Sequence, residues 1–162
     1  MKHMNTTLSH FTNVIRLNFQ LTHSLFERIG LYPGQHALLT VLADNAAVEG
    51  LSQKEIADII RIKPATLTVM TKRMERGGYL VRKQDKTDKR ITRICMTEKG
   101  AKTYQKLQQI RIELEQEYLD GFQEKDVEVL NKMLGRIETN LEHAIERRGL
   151  HAHVHNHHRR MK

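Results

Sequence analysis

The 162-residue chain carries a formal net charge of +8, no tryptophan and one cysteine, Cys95. A single cysteine excludes an intrachain disulfide, so stability has to come from an apolar core, which a chain of this length can bury. No apolar run approaches the roughly 20 residues of a membrane-spanning helix. Met1 to Asn18 also lacks a signal-peptide core, so a cytoplasmic location without membrane attachment is expected.

The charge is unevenly distributed. Arg61 to Lys99 holds twelve Lys or Arg against four Asp or Glu, whereas Glu113 to Glu146 holds ten acids against three bases. This asymmetry points to a polyanion-binding middle on a non-binding scaffold, although two ordinary solvated faces would give the same sums.

Apolar residues at spacings of three and four from Leu8 to Ile29 predict a helix over about 6–29, stopped at Gly30. A turn at Leu31-Tyr32-Pro33-Gly34 leads to a second helix, to about Asn45, burying Ala37, Leu38, Val41 and Leu42. Ser52 and Glu55 form an S-x-x-E capping box opening a short helix over 53–60. Arg61-Ile62-Lys63 breaks it, and Pro64, lacking an N–H, suits the first turn of a helix running to about Arg76. That helix ends at Gly77-Gly78, where one glycine can take the left-handed conformation. Residues 79–83 and 91–96 are rich in β-formers and flank the polar stretch 84–90, so they read as a hairpin with a projecting charged tip. Thr97 can cap the next helix, about Glu98 to Asp120, and another follows from Glu124 to Arg147, with Gly121 between them. The pattern is mainly α with a small β-wing.

Two short helices joined by a three-residue turn make a helix-turn-helix. Its second helix is expected to bury Leu67, Met70 and Met74 and to turn Ala65, Thr66, Thr68, Val69, Lys72 and Arg73 outward. Threonines there can hydrogen-bond to base edges, Ala65 or Val69 can touch a thymine methyl, and Lys63 and Lys72 suit phosphates. In the hairpin tip, Asp85 or Asp88 is expected to orient the loop. Arg90 or Lys86, with Lys89 beside them, would then reach a minor groove, where a narrow groove attracts arginine. A charged tip alone is equally what a solvated surface hairpin carries; its place directly after a capped helix-turn-helix favours the DNA-contacting wing.

The chain resembles the MarR family (multiple antibiotic resistance regulator). The resemblance rests on Leu51-Ser52-Gln53-Lys54-Glu55-Ile56-Ala57, Met70-x-x-Arg73-Met74-Glu75-x-Gly77-Gly78-Tyr79-Leu80-x-Arg82, Asp85-x-x-Asp88-x-Arg90 and Met96-Thr97-Glu98-Lys99-Gly100. It implies a winged helix-turn-helix over 34–99 between dimerisation helices at 1–33 and 100–148, with a His-rich tail at 149–162. It further implies a homodimer that reads a pseudo-palindromic operator in double-stranded DNA. Such a dimer would be a repressor released by a small ligand such as an aromatic anion, with no required cofactor. Arg90 carries over as the wing arginine, with Asp85 and Asp88 supporting it. The apolar stripes of the first and last helices exceed what one winged domain needs, which independently favours a dimer.

Control residues are harder to read. If a ligand pocket lies between the dimerisation helices and the winged domain, Arg16, Tyr32 and His36 are its polar candidates. His151, His153, His155, His157 and His158 could bind zinc, nickel or copper, which makes a metal-responsive or metal-binding protein the alternative. His10, His23, His36 and His143 show no close ligand spacing. Cys95, in an alternating apolar strand, reads as structural. No nucleophile–base pair, phosphate-cradling loop or metal motif marks the folded part as an enzyme.

Overall fold

The computed structural model describes residues 2–45 and 49–150. In chain order these form α1 (Lys2–Arg28), α2 (Gln35–Asn45), β1 (Leu51–Ser52), α3 (Gln53–Ile60), α4 (Pro64–Arg76), β2 (Leu80–Gln84), β3 (Thr92–Met96), α5 (Glu98–Tyr118) and α6 (Glu124–Arg147). The helix-turn-helix boundaries agree with the sequence reading because local chemistry sets them. Ser52 Oγ accepts from Glu55 N, and Glu55 Oε2 accepts from Ser52 N at 2.7 Å, completing the capping box. Pro64 occupies the first turn of α4. Gly78, at φ +76°, takes the left-handed conformation just beyond that helix.

The sheet is three-stranded and antiparallel in the order β1-β3-β2. Strand β2 pairs along β3 from Leu80↔Met96 to Gln84↔Thr92, so both wing strands start one residue later than expected. The third strand was not foreseen. Leu51 pairs with Ile94 and Ser52 with Arg93, so the residues leading into the capping box also hold the wing's inner edge.

One core joins these elements. Leu38, Leu39 and Leu42 of α2 pack with Ile56 and Ile60 of α3, Leu67 and Met74 of α4, Leu80 and Ile94 of the sheet, and Leu107 of α5. Each such side chain contributes about 1.5–3 kcal/mol relative to exposure. On α4 the buried stripe is Leu67, Thr71 and Met74, with Met70 half-buried, so Thr71 takes the inner place expected of Met70. Gly100 lets α5 start against the wing: a Cβ there would collide with the backbone oxygen of Tyr79. Thr97 Oγ1 accepts from Gly100 N at 3.1 Å, as the expected cap.

Outside this core the helices differ. Among the described residues, α6 buries none, and neither α1 nor α6 packs extensively against the rest of the chain. Leu8, Val14, Ile15, Leu17 and Phe19 stand exposed on α1, as do Val129, Met133, Leu134 and Leu141 on α6. The Tyr118 hydroxyl donates to Asn18 Oδ1, tying α5 to α1. Among the described residues no helix is long and apolar enough to cross a membrane.

Candidate nucleic-acid interface

The outward side of α4 is built as its period requires. Ala65, Thr66, Val69, Lys72 and Arg73 are exposed, and Lys63 stands exposed at its N-cap. Thr68 differs from the reading of a free groove-facing hydroxyl. It is half-buried, donates to the Pro64 carbonyl at 2.9 Å and accepts from Gln53 Nε2 at 3.0 Å. The hydroxyl therefore braces the two helices of the motif against each other.

In the wing, Asp85 and Asp88 have separate tasks. Asp85 is buried, at 7% exposure, inside a loop whose other residues are exposed or, at Asp88, half-buried. Its Oδ1 accepts from Thr87 N at 2.8 Å and Asp88 N at 3.0 Å, and its Oδ2 from Arg93 Nε. The Asp88 N–H, then the Arg93 guanidinium and the Thr87 N–H, hold the Asp85 carboxyl down to about 2. Asp88 Oδ1 accepts from Arg90 N at 3.0 Å and Arg90 Nε at 3.2 Å. This steers a guanidinium whose side chain is 92% exposed. Lys86 pairs with Glu49 at 3.3 Å, and Lys89 is exposed beside it. The loop thus has a fixed base and projecting cations.

Two arginines that hold this site together were missed. Arg93 Nη1 donates to the Gly50 carbonyl and to Glu55 Oε2, each at 3.3 Å. Asp85, Arg93, Glu55 and Ser52 therefore form one chain of contacts from wing loop to the N-cap of α3. The Ser52 N–H and hydroxyl hold the Glu55 carboxyl below its usual value, and the bond to Asp85 raises Arg93. Arg82 does the same for α4: its Nε donates to Glu75 Oε2 and its Nη2 to Thr71 Oγ1, both at 3.1 Å. The available signal was a cation inside each apolar strand, where burial demands a partner. The partners themselves lie across pairings that local pattern does not show.

The ligand candidates are only partly brought together. Tyr32 is exposed in the turn before α2, four residues ahead of His36, whose ring packs on Phe26 with centroids 4.9 Å apart. Arg16 is exposed about 15 Å further up α1 from Phe26, at the ordinary helical rise. The five tail histidines lie outside the described residues. Among the described residues no group of three His, Cys, Asp or Glu is placed to hold a metal ion. Cys95 is buried in β3 with Sγ 3.5 Å from the Glu49 carbonyl.

Comparison with known proteins matches this architecture. A model of the MarR family covers residues 31–92, which holds the helix-turn-helix and most of the wing. The chain is 26% identical over 139 residues to YybA of Bacillus subtilis (strain 168), an uncharacterized HTH-type transcriptional regulator, covering 86% of this chain and 91% of that one. The crystal structure of the transcriptional regulator SlyA superposes with a TM-score of 0.69 at 27% identity, covering 86% of this chain and 96% of SlyA. S. aureus MepR, solved as a DNA complex, shares the fold with a TM-score of 0.66 at 22% identity, covering 81% of this chain and 93% of MepR. A capped helix-turn-helix and a braced basic wing thus coincide with a chain that is similar to the MarR family over residues 31–92 and, over most of its length, to HTH-type transcriptional regulators.

Proposed function

We infer that two copies of this chain pair through α1, the end of α5 and α6, and bind a pseudo-palindromic operator as a repressor. The observation that carries this reading is a division of surfaces. The basic groups of α4 and the wing stand exposed on the folded body, while the two helices outside that body keep exposed apolar stripes. An apolar face of that extent favours a partner, and a second copy supplies an identical face in a twofold arrangement. Twofold pairing would set the two α4 helices about one DNA turn apart, the spacing that paired half-sites require. MepR, a protein of the same fold, has been solved as a DNA complex, which supports a DNA-binding role for this architecture.

Release would come from a small ligand seated between the dimerisation helices and the winged domain. Tyr32 and His36 lie at the junction of α1 and α2, where a bound molecule would alter the angle between those parts. An aromatic anion fits one aromatic wall and two polar groups, with Arg16 contributing only if the partner's approach brings it near.

The test is binding of the purified full chain to its own upstream DNA, titrated across salt with and without salicylate. Saturable binding of one dimer per palindrome with a steep salt slope is expected, weakened by the anion. Weak binding, equal for every sequence, would overturn the operator reading. Unchanged binding in salicylate would remove that anion class as inducer.

A further inference from the structure

On the side of its first two turns that carries Ala65 and Val69, α4 offers methyl groups rather than hydrogen bonds. Val69 is 54% exposed there, and Ala65, one turn earlier on the same side, is exposed as well. Thr68, beside them, has committed its proton to the Pro64 carbonyl and a lone pair to Gln53 Nε2. A threonine bound in this way has no proton left for a base acceptor, and its γ-methyl is the group still without a role. Gln53, the first residue of α3, is therefore a positioning residue: it fixes which side of Thr68 is available.

An exposed valine gains nothing from the donors and acceptors of a base edge, and it deprives any polar group it covers of water. In the major groove only thymine offers a C5-methyl, whereas cytosine sets an amino donor in the neighbouring place. We propose that thymine 5-methyl groups, packed against Val69, Ala65 and the Thr68 γ-methyl, are the main base-discriminating contact in each half-site. Lys63, Lys72 and Arg73 would supply affinity through phosphates, without sequence preference. The proposal rests on α4 being the helix that enters the groove.

The test alters the DNA before the protein, so folding is not at issue. Sequences are first enriched from a random duplex library on the full-length chain. Each thymine of the enriched half-site is then replaced by deoxyuridine, which keeps every hydrogen-bonding atom and deletes the methyl. At two or more positions, uracil is expected to weaken binding about fourfold, the worth of one buried methyl-sized group. Val69→Ala should bring the thymine-to-uracil ratio close to one at its position. Thr68→Ser, which keeps the hydroxyl and loses the methyl, should lower the ratio at another, while Thr68→Val should preserve it. An enriched site whose thymines all tolerate uracil would overturn the proposal. So would the reverse pattern at Thr68, with serine preserving the ratio and valine abolishing it. Failure to enrich any sequence would instead remove the sequence-specific reading beneath it.

Discussion

The Asp85 carboxylate accepts from two backbone N–H groups of its own loop and faces Arg93, which reaches on to the capping box of α3. Because the folded group titrates near 2 and its ordinary value is 3.8, its contribution to stability is complete above about pH 4 and fades as pH falls toward 2. Asp85→Asn should therefore be less stable than the parent at neutral pH, with the gap in melting temperature closing between pH 4 and pH 2. A gap that stayed constant over that range would show that the carboxylate's charge does not hold the wing. Arg61 offers a second residue-scale prediction. It is the one non-glycine residue at positive φ among the described residues, at φ 58° as the C-cap of α3. Left-handed backbone costs an L-residue about 1–2 kcal/mol, partly offset by the entropy glycine regains on unfolding. Arg61→Gly should raise unfolding stability by about 0.5–1 kcal/mol in a urea titration. No gain would mean that the arginine's side-chain contacts outweigh its backbone cost.

At the scale of elements, the wing separates into a base that positions and a tip that contacts. Arg90 stands almost wholly in solvent with Asp88 behind it, so removing it leaves the Asp85–Arg93 contact untouched. Arg90→Ala should weaken operator binding by about 1–3 kcal/mol with little change in melting temperature. Arg93→Ala should lower both, because the wing loses its anchor to α3; equal affinity for parent and Arg90→Ala would reassign the wing. What the sequence revealed follows the same division. The ends of α3 and α4 were legible because Ser52, Glu55 and Pro64 act within one turn of themselves. Strand β1 was not, since two residues carry no period, and only pairing with Ile94 and Arg93 makes Leu51–Ser52 a strand. Arg90 was legible as an exposed cation in a polar tip, whereas the roles of Arg93 and Arg82 depend on partners brought in by the fold. Thr68 was expected on the outward side of α4, whereas its bond from Gln53 is a tertiary fact that no helical spacing encodes.

The whole molecule poses a question of assembly, and α6 is where it can be put most directly. Val127, Leu130, Leu134, Ile137, Leu141 and Ile145 recur at spacings of three and four along this helix, yet none is buried. A stripe of this kind normally lies against a neighbour, while the core that holds the winged domain together runs from Phe26 to Leu114 and includes no residue of α6. Substituting the middle of the stripe should therefore separate assembly from folding. In a dimer sealed by α6, Leu134→Glu would place a carboxylate in an apolar seam, where an unpaired charge is poorly tolerated. The variant should be monomeric by light scattering and keep the helical content and cooperative unfolding of its winged domain. It should also bind the operator with about half the parent's salt slope, because each complex now engages one set of phosphate contacts. A Leu134→Glu protein that remained dimeric would move the seam away from α6. A monomer that matched the parent in affinity and salt slope would leave one winged domain sufficient for recognition, and the twofold operator would lose its physical basis.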